Sequence, residues 1–155
     1  MIDVTESELR DGLTASLAVP RWVEDVASRA PFETLAELLL VAYTEATPLA
    51  PDEIDQAIAH HPRIGENPTG AVISEALSRA EQGEAVDLIE EFAAGNAAYE
   101  RRFDRVFIIR EAGRTRAEIL AELQRRMGLD ASIEHQIVGE QLRDLALLRL
   151  EKRFG

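Results

Sequence analysis

The chain has 155 residues, 46% of them apolar and 30% charged, which is the composition of one globular domain with a single core. A net charge of −12 argues against nucleic acid and against anionic membrane surfaces as partners, although a few local arginines can reverse the field inside a pocket. There is no cysteine, so disulfides, thiolate chemistry and cysteine metal sites are excluded. No apolar run approaches the ~18 residues of a membrane-spanning helix. Met1-Ile2-Asp3 carries no basic leader, and a cytoplasmic protein is the default expectation.

Helix signals dominate in chain order. Thr5 with Glu8, and Thr34 with Glu37, have the spacing of a capping box. The first predicts a helix to about Ala18. Pro20 opens a second through Trp22, Val23 and Val26 to Arg29. A third runs from Thr34 to Thr47, with Leu35, Leu38, Leu39 and Ala42 on its apolar face. Pro51-Asp52-Glu53 reads as the first turn of a fourth, ending at His60 or His61, since Pro is tolerated there and acids favour the N-terminal dipole.

A Pro/Gly-rich loop follows, from His61 to Thr69. Helices are then predicted over 71–82 and 84–103, the second with Val86, Ile89, Phe92 and Tyr99 spaced for burial. Gly95 inside it costs ~1 kcal/mol against Ala, which points to close packing. Val106-Phe107-Ile108-Ile109 is a short apolar run, a candidate strand with no partner. Thr115 caps a helix with Ile119, Leu120 and Leu123 inward, and Gly128 stops it. The last helix covers Ala131 to Arg153, with Ile137, Leu142, Leu145 and Leu148 expected inward. The expectation is an all-α, single-domain bundle of about seven helices over residues 1–155, without repeats or linkers.

Three polar groupings stand out. In His60-His61-Pro62-Arg63-Ile64-Gly65-Glu66, the residue before Pro is pushed out of the α region, so His61 sits on a rigid turn past a helix end. A histidine held there is a candidate general acid or base; the same pattern also fits a helix-stop loop with solvated histidines. Ser78, Glu81 and Gln82 fall at i, i+3 and i+4, one helical face suited to a polar small molecule or simply to solvent. Arg149, set among leucines, either snorkels or anchors a carboxylate or ureido group. His61 and Glu81 lack the spacing of a helical metal motif, and no metal site is expected. His135, in Glu134-His135-Gln136, reads as helix surface.

Taken in order, these segments resemble the OHCU decarboxylases, which act on 2-oxo-4-hydroxy-4-carboxy-5-ureidoimidazoline in urate breakdown. The resemblance begins at Trp22 and Arg29-Ala30-Pro31-Phe32. It runs through His61-Pro62-Arg63-Ile64-Gly65-Glu66 and through Ser78-Arg79-Ala80-Glu81-Gln82, similar to the family's S-R-x-E-Q. Asn96 to Phe103 is similar to N-x-x-Y-x-x-R-F-G, Phe107-Ile108-Ile109 to F-x-I-C, and Leu148-Arg149-Leu150 closes the series.

The resemblance implies an all-α fold and cofactor-independent decarboxylation to (S)-allantoin. It makes His61 and Glu81 the catalytic pair, with Pro62, Ser78 and Gln82 lining the pocket. Backbone groups near Ile109 would bind the ureido or ring amide, and Arg149 would hold the substrate. The only partner implied is that small molecule; oligomeric state is left open, a homodimer included. This chain departs from the pattern at Asp104, where the family usually has Gly, and at Arg110-Glu111, where it has Cys-Ala. The competing readings are a non-catalytic helical interaction module and an inactive member of the same family.

Overall fold

A computed structural model describes residues 2–59, 82–111 and 113–155, with the side chains of 82–89 excepted. Among the described residues the chain forms seven α-helices and no strand: α1 (Glu6–Ser16), α2 (Pro20–Ala27), α3 (Leu35–Glu45), α4 (Pro51–Ile58), α5 (Gln82–Phe103), α6 (Arg116–Arg126) and α7 (Ala131–Phe154). The all-α expectation is met. The loop after His61 and the helix expected over 71–82 lie outside the described residues. Gln82 is already helical and continuous with α5, so no break separates it from residue 84.

The chain divides into two compact units, residues 1–60 with 135–155, and residues 61–134. In the first, Thr5 and Glu8 complete the capping box of α1: the Thr5 hydroxyl accepts from the Glu8 N–H at 3.0 Å, and Glu8 accepts from the Thr5 N–H at 3.2 Å. Pro20 and Pro51 each begin a helix, where a missing N–H costs nothing. The α3 helix stops at Glu45, short of Thr47, whose position before Pro48 disfavours helical backbone.

Two side chains tie α2 to its neighbours. Trp22 is wholly buried, and its indole N–H donates to the Ala42 carbonyl on α3 at 3.0 Å. Arg21 grips Glu53 on α4 with two parallel bonds of 2.8 and 2.9 Å. Glu53 also accepts from the Ala50 N–H at 2.9 Å, closing the start of its own helix. The Arg21 guanidinium holds the Glu53 carboxyl below the usual carboxylate range.

In α7 the buried stripe of the first unit is Val138, Leu142, Ala146 and Leu150, spaced by four. Ile137, Leu145 and Leu148, expected inward, are only half-buried.

The second unit packs α5 on α6 through Phe92, Tyr99, Phe103, Ile119, Leu120 and Leu123, together with Phe107 and Ile109 from the connection. Gly95 explains itself here. A Cβ at that position would lie 2.5 Å from Leu123 Cδ2, so a larger residue would force the Leu123 side chain to shift. At the end of α5, Asp104 takes a left-handed conformation, φ +56. Glycine adopts that conformation freely, which fits the Gly at this place in the pattern the segment resembles.

Candidate active site

After Asp104 reverses the chain, residues 105–111 run without helix or strand until Gly113 turns at φ +80 and Thr115 caps α6. Phe107, Ile108 and Ile109 are all buried. Buried irregular backbone must find partners for its polar groups. The Ile108 carbonyl finds one in Arg126, whose Nη1 donates to it at 2.8 Å.

Arg126 is itself wholly buried at the end of α6. Its Nε–H donates to Glu134 Oε1 at 2.7 Å, and its Nη2 donates to Glu134 Oε2. Glu134 lies in the first turn of α7 and is also wholly buried. The Tyr99 hydroxyl donates to the same carboxylate. Burial, and then that bond to Glu134, push the Tyr99 phenol above its ordinary range. The guanidinium carbon stands 4.6 Å from the centre of the Phe107 ring, and Tyr99 meets that ring edge-on at 5.2 Å. Tyr99, Arg126 and Glu134 thus form one closed polar network under the Phe107–Ile109 segment.

Sequence reasoning missed this network. The sequence pattern singles out neither Arg126 nor Glu134; only His135, between Glu134 and Gln136, reads as helix surface. The available signal was an arginine ending one helix, a short turn at Gly128, and a glutamate in the first turn of the next. His135 is partly exposed, and its Nε2 lies 3.3 Å from Oδ1 of the exposed Asp55.

Of the expected site residues, His61, Pro62, Ser78 and Glu81 lie outside the described residues, as does the side chain of Gln82. Ile109 belongs to the second unit and is buried. Arg149 belongs to the first unit and is half-buried in α7. Its Nη1 donates to the Ser16 carbonyl in the last turn of α1 at 3.0 Å, where a cation suits the helix C-terminus. No carboxylate among the described residues pairs with it, and burial draws its pKa down. The remaining donors of the fork meet no acceptor among the described residues.

Glu111, beside the Ile109 segment, is the opposite case: burial alone pushes its carboxyl above the ordinary range. Among the described residues no cluster of three metal-ligating side chains occurs, and no helix is long and apolar enough to cross a membrane.

Comparison with known proteins identifies a family and a fold. The OHCU decarboxylase family model matches residues 3–151. The chain belongs to the OHCU decarboxylase family. A curated relative, the uric acid degradation bifunctional protein TTL of Arabidopsis thaliana, is 31% identical over 107 residues. That match covers 64% of this chain and 33% of the plant protein, so the chain spans about a third of its relative's length.

Among solved structures, an OHCU decarboxylase crystallised in the presence of (S)-allantoin aligns with a TM-score of 0.74 at 24% identity. It covers 93% of this chain and 97% of the other. An (S)-allantoin synthase aligns at 0.71 and 19% identity, over 99% of this chain and 52% of its own. At these identities the two likenesses establish the fold.

Proposed function

We propose that the chain decarboxylates 2-oxo-4-hydroxy-4-carboxy-5-ureidoimidazoline to (S)-allantoin without a cofactor. The observation that carries this reading is Arg149, a half-buried guanidinium with no carboxylate partner among the described residues, in a chain of the OHCU decarboxylase family. Such a group suits the flat, oxygen-rich carboxylate or ureido end of the substrate.

The substrate is its own electron sink. As the carbon–carboxylate bond breaks, its electron pair forms a double bond to the neighbouring ring carbon, and the C=N electrons move onto nitrogen, which takes a proton. The 4-hydroxyl then loses its proton to become a carbonyl, and the carbon bearing the ureido group takes a proton on one face. The protein has to orient the carboxylate out of the ring plane, accept the hydroxyl proton and supply the carbon proton. Orientation alone contributes several kcal/mol in such reactions.

In this proposal His61 and Glu81 perform the proton steps. Pro62, Ser78 and Gln82 line the pocket, backbone groups near Ile109 take the ureido or ring amide, and Arg149 holds the anionic end. A single helical domain over residues 1–155, a cytoplasmic location and a homodimer belong to the same reading; the family match from residue 3 to 151 supports the first of these.

The test is to generate the substrate in situ and follow its loss against spontaneous decay. A rate proportional to protein concentration supports the reading. In the same assay His61→Ala should lose at least about a hundredfold in turnover. A wild-type protein that leaves the decay unchanged removes the proposal.

A further inference from the structure

Arg126 does more than fill the core. The Ile108 carbonyl and the Ile109 N–H belong to one planar, trans peptide unit and point in opposite directions. A hydrogen bond that fixes the first therefore fixes the second. Arg126 Nη1 supplies that bond at 2.8 Å. The Ile109 N–H, in a residue only 3% exposed, meets no acceptor among the described residues. A buried donor that meets no acceptor among the described residues is a candidate for contact with a ligand.

Resting on the reading that Ile109 offers its backbone to the substrate, we propose that Arg126 is the positioning residue for that contact. It holds the Ile108–Ile109 peptide plane so that the Ile109 N–H is presented to an amide or ureido oxygen of the ligand. Glu134 and Tyr99 hold Arg126 in turn. Two bonds from the guanidinium to Glu134 fix its plane, and the Tyr99 hydroxyl donates to Oε2, the same carboxylate oxygen that takes Arg126 Nη2. A buried Arg–Glu pair adds little net stability over apolar residues of equal volume, so its use here is directional. The Phe107 ring beneath the guanidinium completes the clamp at 4.6 Å.

The decisive variant is Arg126→Lys. Lysine keeps the charge and can still meet Glu134, but it lacks the rigid fork that serves Glu134 and the Ile108 carbonyl together. The expected kinetics are a rise in KM of about tenfold with kcat within about threefold, since a contact made equally in ground and transition state is lost. A merely structural arginine would lower the amount of folded enzyme and leave KM alone. An unchanged KM in folded Arg126→Lys protein overturns the proposal.

A second readout does not depend on turnover. The Ile109 amide resonance of the free wild-type protein should move on Arg126→Lys substitution and exchange faster with solvent, while the amides of α5 stay protected. An Ile109 amide that keeps its position and exchange rate overturns the proposal whatever the activity. Should the lysine variant fail to fold, the double variant Arg126→Met with Glu134→Met removes both buried charges and carries the same measurements. Titration with (S)-allantoin separates the two levels. If the wild-type Ile109 amide does not respond, the substrate role of Ile109 falls and this proposal with it. If it responds equally in wild type and variant, only the role of Arg126 falls.

Discussion

Arg126 and Glu134 face each other through two hydrogen bonds while both side chains are wholly buried. Removing one charge leaves the other stranded in the core, which costs about 3–5 kcal/mol in comparable buried pairs. Glu134→Gln is therefore expected to lower the urea midpoint sharply, and pairing Glu134→Met with Arg126→Met should restore most of the loss. Equal stability of Glu134→Gln and wild type would contradict the pairing.

Asp104 occupies a left-handed backbone position at the C-terminal end of α5, where its charge also opposes the helix dipole. Asp104→Gly removes both penalties and should stabilise the protein by about 0.5–1 kcal/mol, less than the full left-handed cost because Asp tolerates that region better than most residues. Thermal unfolding followed by circular dichroism checks the sign, and a lower midpoint counts against it.

Two carboxyls make opposite contributions to the pH dependence of stability. Glu53, held below the ordinary range by Arg21, binds its proton more weakly when folded. Its contribution is present above the ordinary carboxylate pKa and is lost as pH falls through the folded value. Glu111, raised by burial, binds its proton more tightly when folded. Its penalty is absent below the ordinary carboxylate pKa, grows as pH rises toward the folded value, and is complete above it. Glu111→Gln should therefore raise stability at neutral pH and cease to do so in acid. A gain independent of pH would sink this assignment.

Arg149→Lys keeps the charge but not the planar fork. If Arg149 grips the substrate, calorimetric titration should show (S)-allantoin binding to the lysine variant weaker by about tenfold, the loss expected of one charge-assisted hydrogen bond. Equal affinity would leave Arg149 only the Ser16 carbonyl that it already serves.

Much of the fold was legible in the sequence because its boundaries are chemical. Thr5 and Thr115 cap helices with the glutamate three residues on, and Pro20 and Pro51 each open one. The inward face of α7 was harder to read. Leucines lie on several of its sides, so apolar spacing alone did not separate the Val138–Leu150 stripe from its half-buried neighbours.

One turn before Val138 the same spacing arrives at Glu134. A glutamate is read as surface by default, since only a partner makes its burial tolerable. That partner, Arg126, is visible only once the turn at Gly128 brings the two helix ends together. For the site, the resemblance supplied His61, Glu81 and Arg149 by type and order. The structure added what spacing could not show, namely the peptide plane at Ile108–Ile109 and the side chain that holds it.

The central claim is enzymatic, stereospecific decarboxylation, and the chirality of the product tests it most directly. Spontaneous decay of the substrate gives racemic allantoin, which has no net circular dichroism. With substrate generated in situ, the wild-type protein should produce a growing signal of (S)-allantoin at a rate proportional to its concentration. A product that stays optically silent while the substrate disappears at the uncatalysed rate would contradict the account.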